Sequence, residues 1–105
     1  MLFDVGGLRC ALPALEVQEI CRAVTILPLP DAPPSIEGVI NYRGRMIPVL
    51  DTRRHLGREP RALALSDHLI IARAKDRLFA LRVDAALSIE RIEAVLQNRP
   101  VVCPR

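Results

Sequence analysis

Tryptophan is absent and aromatic residues make up 3% of the 105-residue chain, so a surface of stacked rings for gripping nucleic-acid bases has little to be built from. Cysteine is scarce as well. Cys10, Cys21 and Cys103 form no Cys-x-x-Cys pair and have no histidine at zinc-finger spacing, which leaves a disulfide framework and a metal centre without support. Reduced thiols in a cytoplasmic protein are the expectation. No apolar run exceeds four residues, so membrane insertion is not expected. Asp4, Glu16 and Glu19 interrupt the region where an export signal would need its apolar core. Phosphate-cradling glycine motifs are missing, and His55 and His68 have no Ser or Cys motif beside them. The sequence therefore predicts no enzyme, no cofactor and no metal.

What is present fits one compact domain: 50% of the residues are apolar and 26% are charged. Net charge is +3, and arginine supplies fourteen of the fifteen basic side chains. That charge is local. Residues 43–61 hold six arginines against Asp51 and Glu59. Such a cluster can neutralise phosphates, which keeps a small basic β-barrel binding nucleic acid as an alternative, with Tyr42 as the nearby stacking ring.

Nine prolines, five glycines and short apolar runs argue for strands over a helical bundle. Residues 2–5 and 8–12 flank Gly6-Gly7, a pair that accepts the positive φ angles of a tight hairpin. Residues 17–20 and 23–27 are further candidate strands, followed by a connection carrying Pro28, Pro30, Pro33 and Pro34. Residues 36–42 and 46–50 flank a reversal at Arg43-Gly44-Arg45, and Pro48 predicts an edge or a bulge. Asp51 or Thr52 can cap a short helix running to Leu56, with Gly57 ending it. Residues 68–74 and 77–84 form another pair around Lys75-Asp76, with Phe79, Leu81 and Val83 alternating onto one face. Farther on, Ile89, Ile92 and Leu96 recur at helical spacing.

The run IEGVINYRGRMIPVLD at residues 36–51 closely resembles the signature of the CheW-like family, the coupling proteins of bacterial chemosensory arrays. LEVQEI at residues 15–20 resembles the upstream family segment, and TRRHLG at residues 52–57 resembles the short helix that follows the signature. The resemblance implies an all-β fold, mainly β with one short helix, in two small SH3-like β-barrels. It makes residues 1–105 one CheW-like domain. It also replaces the helix after Ser88 with a strand over residues 85–92. Relative to the family pattern the C-terminal strand pair is missing, so the first barrel is expected to be incomplete and its open edge to allow a homodimer or strand exchange.

By the same resemblance the protein is a non-catalytic adaptor. It would couple the cytoplasmic tip of a chemoreceptor to the regulatory domain of a sensor histidine kinase. Val17, Glu19, Gly38 and Arg43 fall at positions the family uses for receptor contact or for shaping that surface, with Glu19 and Arg43 as a candidate pair. The kinase contact is expected at the tip of the second barrel, near residues 46–50 or the neighbouring loops. The competing explanations are bland: Gly38 satisfies a backbone conformation, Val17 fills core, and Glu19 with Arg43 is a surface ion pair.

Overall fold

Residues that tolerate a left-handed backbone set the three tight reversals of the chain. The structure, a computed structural model, describes residues 1–87. In chain order the strands are β1 (Leu2–Val5), β2 (Leu8–Ala11), β3 (Val17–Arg22), β4 (Ile36–Tyr42) and β5 (Arg45–Leu50). A short helix α1 (Thr52–His55) follows, then β6 (His68–Ala74), β7 (Arg77–Val83) and β8 (Ala85–Ala86). A 3-10 turn, Ala14–Glu16, leads into β3. The hairpins β1–β2, β4–β5 and β6–β7 turn at Gly6-Gly7, Arg43-Gly44 and Lys75-Asp76, and all six residues have positive φ. Positive φ at both central residues matches the twist of the flanking strands.

The strands form a three-stranded sheet, ordered β2-β1-β8, and a five-stranded sheet, ordered β3-β6-β7-β5-β4. The expected mainly-β architecture with one short helix is what the described residues adopt. Alternation along β6 and β7 divides the interior in two. Ile70, Leu81 and Val83 join Met1, Phe3, Val5, Cys10 and Leu56 in a first core, with Phe79 packed against it. Leu69, Ile71, Leu78 and Ala80 join Ile40, Tyr42, Ile47 and Val49 in a second. Phe79, Leu81 and Val83 do share a face as their period-two spacing implies, but the opposite face of β7 is buried as well. Asp51 caps α1, its carboxylate accepting a 3.1 Å bond from the Arg54 amide, and Gly57 at φ 70° ends the turn that buries Leu56.

Several expectations need correction. Residues 23–27 do not form a strand: Leu27 exchanges two 2.9 Å backbone bonds with Val39, and Ala23 donates to the Asp67 carbonyl at 3.0 Å. Their β-branched side chains suggested a strand, yet the prolines that follow remove the donors a longer ladder would need. Pro48 is not on an edge, because β5 lies between β7 and β4. Pairing with β7 reaches only Val49 and Leu50, so the proline sits where β5 owes that neighbour no bond. The bulge of this pair lies farther along, between Ile36 and Gly38 opposite Leu50 and Val49, while Pro48 itself faces Val39. Of the strand expected over residues 85–92, Ala85–Ala86 pairs with β1. The remainder, and the alternative helix through Leu96, lie outside the described residues.

Two arginines of the cluster, Arg53 and Arg61, turn inward. Arg53 donates to Asp84 at 2.7 Å, and Arg61 donates to Asp84 at 2.8 Å and to the buried Asp67 at 2.6 Å. Asp84 also accepts the Gly6 amide at 2.9 Å, tying the first turn to the end of β7. Buried Arg82 donates to the Arg61 carbonyl at 2.7 Å and lies 3.1 Å from Glu37. Burial raises the Glu37 carboxyl against the opposing pull of Arg82.

Because one hairpin walls both cores, truncating either face should lower the same transition. Ile70→Ala and Ile71→Ala are each expected to cost about 2–5 kcal/mol and to leave a single denaturant transition, read by circular dichroism. Two separate transitions would contradict the shared wall. Acid stability offers a second check. Burial alone would raise the Asp84 carboxyl, but hydrogen bonds from Arg61, Arg53 and the Gly6 amide outweigh it and hold the group below its usual 3.8. A carboxylate depressed in the folded state adds stability that is complete above its unfolded pKa and fades as pH falls through the folded one. Asp84→Asn should therefore be less stable at neutral pH and lose less than the wild type below about pH 4. Thermal midpoints measured against pH give the comparison.

Candidate functional site

Side chains at the end of β4 and in the turn after it reach β3, the other edge strand of the five-stranded sheet, and form a seam between the two. Tyr42, the last residue of β4, buries its ring in the second core, and a buried phenol needs a partner for its hydroxyl. It finds Glu19 on β3: the Tyr42 hydroxyl donates to Glu19 Oε1 at 2.6 Å. Arg43 donates to the same oxygen at 2.7 Å, and its guanidinium carbon lies 5.3 Å from the centre of the Tyr42 ring. The Cys21 thiol donates to Glu19 Oε2 at 3.5 Å. Donors on both oxygens, Tyr42 above all, hold the Glu19 carboxyl below its usual value, while burial and the neighbouring carboxylate raise the Cys21 thiol. Glu19 is thus a fixed anion, and Cys21 is poorly suited to nucleophilic work.

A register shift explains how Glu19 comes to face the seam. β3 bulges between Val17 and Glu19 where it pairs with β6. One extra residue reverses the alternation. Val17 therefore joins Ile20 against the first core, while Cys21 packs against the second. The bulged Gln18 donates from Nε2 to the Tyr42 hydroxyl at 3.4 Å and accepts from Arg73 at 3.2 Å. A hydrogen-bonded line results, running Arg43–Glu19–Tyr42–Gln18–Arg73 across strands β4, β3 and β6. Arg43 itself sits at φ 52°, and its turn is braced by the Gly44 amide bonding Asn41 Oδ1 at 2.9 Å.

Of the four sequence candidates, the structure brings Glu19 and Arg43 into contact. Val17 is half-buried and fills core. Gly38 lies farther back along β4 under the Leu27 backbone. A Cβ there would collide with the Leu27 carbonyl oxygen and meet Ile26 Cγ2 at 2.8 Å. Its smallness lets the chain cross β4. Sequence reasoning missed Gln18, Tyr42 and Arg73 as members of the cluster. A tyrosine at the end of an inward-facing alternation was the available signal for Tyr42, whereas Gln18 and Arg73 depend on a bulge that no residue type announces.

Two of these facts bear on nucleic acid. Tyr42 is 7% exposed, so it offers no face for base stacking. Arg43, Arg53 and Arg61 are bonded to carboxylates, which cancels much of the local positive surplus. Beside the first core, the described residues leave an apolar groove of about 460 Å³ floored by Phe3, Leu12, Leu50, Phe79 and Leu81, with Asp51 and His55 also lining it. No helix among the described residues is long and apolar enough to cross a membrane.

The chain is 33% identical over 90 residues to Protein FrzA of Myxococcus xanthus, an alignment covering 86% of this chain and 56% of that protein. It is 33% identical over 87 residues to Chemotaxis protein CheW of Rhizobium meliloti, covering 83% and 56%. Among solved structures, the scaffolding protein TtCheW from Thermoanaerobacter tengcongensis superposes with a TM-score of 0.73 at 32% identity, over 80% of this chain and 57% of that one. The chain spans little more than half the length of these relatives. With the CheW-like domain model matching residues 1–99, the chain belongs to the CheW-like family, whose fold is a pair of SH3-like β-barrels.

Proposed function

We propose that the protein is a non-catalytic adaptor of a bacterial chemosensory array, working in the cytoplasm and coupling receptor tips to the regulatory domain of a sensor histidine kinase. The observation that carries this proposal is the seam. A guanidinium whose side chain is 73% exposed is anchored 2.7 Å from a carboxylate that a buried tyrosine also holds. Docking without chemistry needs this combination: a charged group facing solvent, with its position fixed before the partner arrives. In this proposal Glu19 and Arg43 contact the receptor, Gly38 maintains the shape of β4 beneath the crossing chain, and Val17 supports the strand from the core side. The kinase contact is placed, in this proposal, at residues 46–50 or the neighbouring loops, where Met46 is an exposed apolar residue.

The three-stranded sheet adds a proposed route to self-association. Its outer strand β2 has one neighbour among the described strands, and an unpaired strand edge invites a second copy. A monomeric mass at high concentration would count against that route.

Gly38→Ala should destabilise the fold by about 1–3 kcal/mol, because the obstacle to its methyl group is backbone. Chemical denaturation reads this directly, and unchanged stability would remove the shaping role assigned to Gly38. Arg43→Glu places two carboxylates together at an exposed site, so the fold should persist. Binding to a receptor-tip fragment should weaken at least about tenfold in calorimetric titration. Retained affinity with an unchanged circular dichroism spectrum would reject the receptor contact.

A further inference from the structure

Each bond of the hydrogen-bonded line has a direction set by what its groups can give or accept. Arg73 on β6 has donors only, so the Gln18 side chain must turn its oxygen toward the guanidinium, and that bond is 3.2 Å long. The Gln18 amide nitrogen then faces the other way and donates to the Tyr42 hydroxyl at 3.4 Å. A hydroxyl that accepts on one side has its proton to give on another, and Tyr42 gives it to Glu19 Oε1 at 2.6 Å. Arg43, again a donor only, bonds the same oxygen at 2.7 Å. Reversing the Gln18 amide would break this order at both ends. Its nitrogen would meet the guanidinium of Arg73, and its oxygen would compete with Glu19 for the phenol proton. Glu16, exposed and one residue before the Val17–Ala72 pair, stands across from Arg73 as a charged neighbour, and an arginine has donors enough for both.

We propose that Gln18 and Arg73 are positioning residues of the docking contact: Arg73 fixes which way the Gln18 amide points, the amide orients the Tyr42 hydroxyl, and the phenol proton is thereby aimed at Glu19, the carboxylate that anchors Arg43. The inference rests on the receptor-contact role proposed above and deepens it by assigning how that contact is held ready. Neither Gln18 nor Arg73 bonds Glu19 or Arg43, and both act through the Tyr42 oxygen. An exposed arginine loses rotamer freedom when a partner arrives, and a carboxylate held in place beforehand reduces that cost. Successive hydrogen bonds also polarise one another, so a donor at the Arg73 end strengthens the bond from Tyr42 to Glu19. In this way a residue on β6 steadies a side chain in the turn after β4.

The test has two readouts on the full chain: titration of the Glu19 carboxyl by carbon-13 NMR, and calorimetric binding of a receptor-tip hairpin. The Tyr42 hydroxyl does most to hold the Glu19 carboxyl below its usual 4.5. Tyr42→Phe keeps the buried ring, so it should raise that titration toward the usual value and weaken hairpin binding about fivefold. Gln18→Met and Arg73→Met should each move both readouts in the same direction by less, and Arg73→Lys, which keeps a donor, should follow the wild type. Within a Gln18→Met chain, Arg73→Met should add little, because the link it acts through is gone. Thermal midpoints of the Gln18 and Arg73 variants should match the wild type, since both side chains are exposed. An Arg73→Met effect undiminished in the Gln18→Met chain would overturn the relay. If Arg43→Glu abolishes binding while the Tyr42, Gln18 and Arg73 variants titrate and bind as wild type, the positioning role is overturned and the receptor contact stands. If the Glu19 titration follows these variants while Arg43→Glu binds undiminished, the relay stands and the receptor contact falls.

Discussion

The β6–β7 hairpin is the wall on which everything else is hung. Its two strands bury successive side chains on opposite sides, so Ile70 and Leu81 belong to one core while Leu69, Ile71 and Leu78 belong to the other. Neither core can loosen without exposing part of the strands that close its neighbour. The seam between β3 and β4 inherits this rigidity. β3 is pinned along β6, and β4 is reached from β7 through β5. The Glu19–Tyr42–Arg43 contact thus joins two strands whose places are fixed by burial, and the side chains only have to close the remaining gap.

Two sets of arginines play different parts on that frame. Arg53, Arg61 and Arg82 are turned toward Asp84, Asp67 and Glu37, where they bind the loop before β6, the first hairpin turn and α1 to the end of β7. Buried charge of this kind must be paired to be tolerated. Arg43 and Arg73 instead stand outside, at the ends of one hydrogen-bonded line. The positive stretch at residues 43–61 is thus divided, once folded, with Arg53 and Arg61 in the internal brace and Arg43 on the external surface. The burial of Tyr42 gives the external part a fixed geometry at the expense of any base-stacking role.

Local chemistry was legible in the chain and long-range parity was not. Gly6-Gly7, Arg43-Gly44 and Lys75-Asp76 announced their turns, and Asp51 with Gly57 bounded the helix, because each depends on backbone preferences a few residues long. Val24 and Ile26 suggested a strand by type, but pairing depends on what lies alongside, and only Leu27 meets β4. Val17 and Glu19 turn to opposite sides of β3 because a bulge reverses alternation without leaving a mark in composition. Tyr42 and Glu19 stand 23 residues apart, and only the closed sheet makes them neighbours. The family resemblance paired Arg43 with Glu19, a contact the structure contains and periodicity could not suggest. It could not say which of its positions face outward.

The central claim, that this seam is where a partner docks, is tested most directly by mapping backbone amide shifts while a receptor-tip hairpin is added. The account predicts perturbations gathered on Gln18, Glu19, Tyr42, Arg43 and Arg73, with the first core and the β1–β2 turn unchanged. Perturbations confined to the groove beside Phe3 and Phe79, with the seam silent, would contradict it.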